Sequence, residues 1–134
     1  MMSPEEIVEK MISKDSFSIW LNLEIIKIEK GFCALKTTIT KEMTNGFNLS
    51  HGGICFSIAD SCLAFTANSY GKISLTKSAE IKFIKKVQIK DTITAKCHHP
   101  GIEKNSFNIE LINQHDEKIA NFIGIVHFTN EVWS

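Results

Sequence analysis

The sequence predicts an α+β fold in which one antiparallel sheet wraps around a single long buried helix, with a shorter helix at the amino end. Three observations carry that prediction. From Ile54 to Ser69 nearly every residue is apolar or small, and a helix that is apolar almost all round has to be buried. Segments of strand character lie on both sides of it, two before and four after. A sheet is the one surface large enough to cover such a helix.

The elements follow in chain order. Ser3, Pro4 and Glu6 occupy N-cap, first-turn proline and capping-box positions ahead of Ile7, Val8, Met11 and Ile12, which share one face, so a short amphipathic helix opens the chain. Ser16 to Trp20 reads as irregular. Leu23 to Glu29 and Phe32 to Thr40 are rich in Ile, Leu and Thr, and Lys30-Gly31 between them makes a hairpin turn. The polar stretch Lys41 to Ser50 carries the turn chemistry of Asn45-Gly46 and Asn48 and runs into His51-Gly52-Gly53, where the long helix begins. Beyond Tyr70-Gly71-Lys72, strands are expected at Ile73 to Ile84, Thr92 to His99, Ser106 to Asn113 and Lys118 to Phe128. Phe107, Ile109 and Leu111 alternate with Asn108 and Glu110, the mark of a strand with one dry and one wet face. No repeat, low-complexity tract or linker interrupts this order, so residues 1–134 are expected to form a single domain. One curved sheet leaves part of the helix and its own edge strands uncovered, and pairing of protomers is expected to cover them.

Composition narrows the function. Fifteen basic and fifteen acidic side chains cancel, which removes the overall field that would recruit nucleic acid or an anionic membrane. Any anionic ligand has to be met locally. No stretch approaches the roughly 18 apolar residues of a membrane span, and Ser-Pro-Glu-Glu at the amino end lacks the basic start and apolar run of a secretory signal. Cys33, Cys55, Cys62 and Cys97 include no C-x-x-C pair, and two of them sit in the apolar helix, where free thiols pack as small hydrophobes. A cytoplasmic protein without disulfides is the expectation.

Asp60 is the only formally charged side chain between His51 and Gly71. Either it lies on a solvent-facing strip of the helix, or it is a catalytic base or nucleophile placed in the mixed surroundings that active-site carboxylates favour. His51-Gly52-Gly53 admits two readings as well. It is a tight loop entry needing special backbone angles, or a set of uncovered amides at the positive end of the helix dipole that can polarise a carbonyl. Eight residues of helix separate Gly52 from Asp60, a rise of about 12 Å. One carbonyl cannot reach both within a single chain, whereas two helices packed antiparallel across a two-fold axis would bring Asp60 of one to Gly52 of the other. His98-His99-Pro100 lacks any further ligand at a metal-binding spacing and is read as a strand-end pair, and no metal site is expected. Lys82, Lys85, Lys86 and Lys90 form a basic cluster that is a solvated face or a seat for the phosphates of a nucleotide-bearing substrate. No G-x-S-x-G or phosphate-loop pattern occurs.

The stretch from Asn45 through Ser50-His51-Gly52-Gly53 to Asp60, continuing to Asn68-Ser69-Tyr70-Gly71, resembles the signature of the PaaI-type acyl-coenzyme A thioesterases, which have the hotdog fold. The resemblance extends through Ser78 to Phe83, Asp91 to Ala95 and Asn108 to Gln114. It implies hydrolysis of an acyl-coenzyme A thioester, aromatic of the phenylacetyl type or medium-chain, with no cofactor because coenzyme A is part of the substrate. Asp60 would act as base or nucleophile and the Gly52 amide would polarise the carbonyl. Asn45 would orient the water or substrate, and His51 would position the loop. Gly53, Phe83, Lys85 and Lys86 would contact substrate, and Thr76 or Ser78, taken to share one strand face, would hold the attacking water. The resemblance also implies that Asp60 and Gly52 come from different subunits of a homotetramer, a dimer of dimers. Two departures stand out. Lys14-Asp15 replaces an asparagine that shapes the acyl pocket in some relatives, and Lys85-Lys86 replaces a common Arg-Pro. The competing reading is a non-catalytic hotdog module that binds acyl-coenzyme A.

Overall fold

In the computed structural model, which describes residues 1–134, six strands form one antiparallel sheet in the order β1-β2-β4-β5-β6-β3. The strands are β1 Glu24–Glu29, β2 Phe32–Thr38, β3 Lys72–Phe83, β4 Thr92–His98, β5 Ser106–Ile112 and β6 Lys118–Val132. Helix α1 spans Pro4–Ile12, and its capping box is closed as the sequence dictates: the Ser3 hydroxyl accepts from the Glu6 amide while the Glu6 carboxylate accepts from the Ser3 amide. Ile7 and Val8 are its buried residues.

Two short elements depart from the sequence reading. Ser16–Trp20, expected to be irregular, forms helix α2, started by Asp15, whose carboxylate accepts from the Ser18 amide at 3.0 Å. A helix of five residues is too short to display a hydrophobic period, so only its cap could have announced it. Lys41–Met43 makes a 3-10 turn within the expected loop. Strand β6 also runs four residues past Phe128, because Lys72 at the start of β3 pairs with Val132.

Helix α3, Gly52–Asn68, lies against one face of the sheet, and its Ile58, Ala59, Cys62, Leu63 and Phe65 sit in the main cluster of buried apolar side chains. Phe107, Ile109 and Leu111 of β5 meet it with alternate residues exposed, as their alternation requires. At Gly124 of β6 helix and sheet approach closely, since a methyl group there would stand 2.5 Å from Leu63 Cδ2. The helix is not covered all round. Gly53, Phe56, Ser57, Asp60, Ser61 and Ala64, at helical spacing, form a stripe that is at least partly open, although Phe56 packs edge-on against Phe122 of β6.

Strand β3 occupies one edge of the sheet for twelve residues. A bulge separates Thr76, opposite Val126, from Ser78, opposite Ile125. Val126 is buried on the helix side and its neighbour Ile125 points outward, so Thr76 faces the helix while Ser78 faces away. The expectation that these two share a strand face is therefore corrected.

The four cysteines are free and buried, with Cys33 and Cys97 opposite each other on β2 and β4. Burial pushes the Cys97 thiol up to about 12 and raises Cys62 well above the ordinary thiol range, which makes both poor nucleophiles. His99 is buried too, stacked on Phe107 at 3.6 Å, with Nδ1 2.7 Å from the Tyr70 hydroxyl. No helix is long and apolar enough to cross a membrane.

Candidate active site

The segment that enters α3 is held from three directions. The His51 amide donates to the Met43 carbonyl at 2.8 Å, the Ser50 amide donates to the Val87 carbonyl at 2.7 Å, and Leu49 bridges to Gln88. Asn45 Oδ1 accepts from the amides of Phe47 and Leu49, at 2.9 and 3.3 Å, which folds the loop back on itself and leaves its side-chain NH2 with no partner in the chain. His51 is the N-cap of α3, and its Nδ1 accepts from the Gly53 amide at 3.1 Å. The Gly52 amide, one residue earlier, donates to nothing in the chain.

A side chain on Gly52 would also be crowded. The ring of Phe83, at the end of β3, lies over it, and a methyl group on Gly52 would come within 3.1 Å of Phe83 Cζ. Beside them lies a cleft of about 270 Å3 lined by Asn45, Leu49, Ser50, Gly52, Cys55, Phe83, Ile84, Lys85, Lys86, Val87 and Ile119. A free N–H at the positive end of a helix, at the wall of a cleft with an apolar body and two lysines, suits a partial negative charge on a ligand whose tail is anionic.

Asp60 lies on the open stripe of α3, part-buried, and lines no part of that cleft. The Thr76 hydroxyl donates to its Oδ1 at 3.1 Å. Burial raises the Asp60 carboxyl from its ordinary value; the Thr76 bond pulls the other way, and the nearby charge of Asp15 adds to the rise. Asp60 is thus neither fully solvent-facing nor fully buried: it is part-open and bonded to the edge strand through Thr76. Alongside it, the Ser18 hydroxyl donates to Asp15 at 2.6 Å and lies 3.1 Å from Ser61 Oγ, which ties α2 to α3 one residue from Asp60.

The structure thus brings Asn45, Gly52, Phe83, Lys85 and Lys86 to one cleft and Thr76 to Asp60. His51 and Gly53 lie on the other side of the helix entry, beside Phe17 and Ser57. Ser78 stands on the outer face of β3 with Ile123 and Ile125, apart from both centres. Lys85 is already engaged, its ammonium bonded to Glu117. Sequence reasoning missed Glu117, Ile119 and the Asp15–Ser18–Ser61 bridge, since each depends on a contact between distant segments, and only Asp15 carried a local signal, as a helix cap. No group of three or more His, Cys, Asp or Glu side chains converges anywhere in the chain.

The class of protein follows from a family match: residues 47–119 match the thioesterase superfamily, and the chain belongs to that family. Within it the chain is of the PaaI type. It is 33% identical over 119 residues, 87% of this chain and 85% of its counterpart, to the acyl-coenzyme A thioesterase PaaI of Escherichia coli K12. The solved structure of E. coli PaaI, from the phenylacetic acid degradation operon, superposes with a TM-score of 0.90 at 30% identity, covering 98% of this chain and 96% of that one. The fold is shared as well with smu.793 of Streptococcus mutans UA159 solved with acetyl-coenzyme A, at a TM-score of 0.76 and 22% identity over 84% of this chain and 92% of that one.

Proposed function

We propose that this chain hydrolyses an acyl-coenzyme A thioester to the free acid and coenzyme A, the acyl group being aromatic of the phenylacetyl type or medium-chain. The observation that carries the reading is the unbonded Gly52 amide at the wall of the cleft, with a perturbed carboxylate on the same helix. The name of the E. coli relative and the acetyl-coenzyme A held by the S. mutans protein support the substrate class.

The Gly52 amide donates to the thioester carbonyl oxygen and more strongly to the oxyanion that forms from it. Asp60 either takes a proton from the attacking water, which gives the acid directly, or attacks the carbonyl itself to form a mixed anhydride that water then hydrolyses to the acid and free Asp60. In both routes the C–S bond breaks as the thiolate leaves and is protonated. Thr76 holds Asp60 by its hydroxyl, the free NH2 of Asn45 orients substrate or water, and His51 keeps the helix entry in shape through Gly53. Phe83 packs along the pantetheine arm, and Lys85 and Lys86 meet its phosphates. The chemistry requires neither a metal nor an organic cofactor.

The distance of about 12 Å between Gly52 and Asp60 makes the working unit an assembly. A second copy covers the open stripe of α3 and pairs along β3, where Leu75 is 62% exposed on an edge of twelve residues. Each site then takes Asp60 from one protomer and Gly52 with Asn45 from the other, within a dimer of dimers. A panel of thioesters followed by thiol release tests the function. Turnover of aryl or medium-chain acyl-coenzyme A that falls by about 10² to 10⁴ in Asp60→Asn supports it. Binding without thiol release would identify a non-catalytic module instead, and full turnover in Asp60→Asn would dismiss the mechanism.

A further inference from the structure

Lys85 and Lys86 both line the cleft, but they are not equivalent. Lys86 makes no ion pair, whereas the ammonium of Lys85 is bonded to Glu117 in the turn between β5 and β6. That turn is braced without any help from Lys85. Asn113 Nδ2 donates to the Glu117 carboxylate at 3.0 Å, Asn113 Oδ1 accepts from the amides of His115 and Glu117 at 2.9 and 3.0 Å, and the Asn113 amide donates to the Glu117 carbonyl at 3.0 Å. The backbone of Lys85 is fixed as well, because the amides of Ile84 and Lys85 both donate to the Ile119 carbonyl, at 2.9 and 3.1 Å. Glu117 is therefore a carboxylate seated by Asn113, whereas the half-exposed ammonium of Lys85 is held by Glu117 alone.

We propose that Glu117 is a built-in competitor for Lys85, holding its ammonium until a phosphate displaces the carboxylate, so that this pair sets how strongly the cleft prefers phosphate-bearing thioesters. The inference rests on the function proposed above and adds a specificity-setting residue to it. A phosphomonoester carries roughly −1.5 to −2 charges at neutral pH, against one for the carboxylate, so the exchange favours the phosphate. It does so at reduced strength, because Glu117 stays in place beside the incoming anion and repels it. A thioester with no phosphate gains nothing from the exchange. Glu117 touches neither the thioester nor the reacting atoms; it acts through Lys85.

The test compares Glu117→Gln, which keeps the carbonyl oxygen that Asn113 binds, with the unaltered protein on one acyl group presented two ways. On coenzyme A, KM should fall about two- to five-fold at low salt, the range of a single exposed ion pair, and the gain should shrink near 0.5 M salt. On N-acetylcysteamine, which has no phosphate, KM should stay where it was. Glu110→Gln removes the same charge from the exposed Lys118–Glu110 pair and should move neither KM. An equal change on both thioesters, or none on coenzyme A, overturns the proposal. If the unaltered protein releases thiol from no thioester, the proposed function falls separately. Calorimetry of free coenzyme A then decides for Glu117: tighter binding by Glu117→Gln sustains the competitor, and equal binding overturns it.

Discussion

The Thr76 hydroxyl donates to Asp60 Oδ1 across 3.1 Å, joining the edge strand to the middle of the central helix. Its effect opposes that of burial: a hydrogen bond to the carboxylate favours the ionised form, while desolvation, the larger influence here, favours the neutral one. Replacing Thr76 by Val removes the downward influence and leaves burial unopposed. The acid limb of the kcat/KM profile should then move to higher pH, while Thr76→Ser keeps it near its original position. Ser78→Ala, on the opposite face, should not displace it. A profile that shifts with Ser78 and ignores Thr76 would reverse the assignment.

Stability should change with Asp60 in a direction that depends on pH. A carboxyl whose folded value is raised binds protons more readily in the folded than in the unfolded chain, so folding loses stability as pH climbs from the ordinary carboxylate value through the raised one. Asp60→Asn cannot ionise and escapes that loss. Thermal unfolding should show it more stable than the unaltered protein at neutral pH, with the difference disappearing below the ordinary carboxylate range. A variant less stable at neutral pH would mean that the ionised carboxylate is a structural anchor.

Mixing inactive subunits tests the composite site. Asp60→Asn and Gly52→Val each damage a different half, the second by setting a branched side chain against Phe83 and the free amide. Random reassortment puts half the dimers in mixed form, each with one intact site of two, so about a quarter of the original activity should return. Sites built within one chain would give no recovery.

Packing between helix and sheet should show at Gly124. Alanine there sets its methyl 2.5 Å from Leu63 Cδ2, and Leu63 is fully buried with little room to turn. Overpacking of this kind costs about 1–3 kcal/mol, a fall in Tm of roughly 3–10 °C. Activity per folded molecule should stay close to normal, which separates this position from Gly52.

The central helix was legible because composition alone decides it: sixteen residues with one charge can only be buried. Phe107, Ile109 and Leu111 were legible for a similar reason, their alternation fixing which face of β5 is dry. Asp60 stood out as the one charge in the central helix and Gly52 as a glycine at its entry, whereas the role expected of Asn45 came from resemblance to a known signature. What escaped lay in contacts that no local pattern encodes. Lys85 and Glu117 are 32 residues apart, and their pairing follows from β6 returning beside the end of β3. α2 is too short for its apolar residues to repeat, and the irregularity in β3 changes side-chain direction without any glycine or proline to mark it.

That irregularity lets one strand do two jobs. Thr76 and Phe83 are an odd number of residues apart, so in a regular strand they would point to opposite sides. With one unpaired residue between Thr76 and Ser78, both reach α3, Thr76 at Asp60 and Phe83 over Gly52. Excising Lys77 would restore the regular alternation, and the chain could then keep the hydroxyl on its central carboxylate or the aromatic cover over the free amide, but not both.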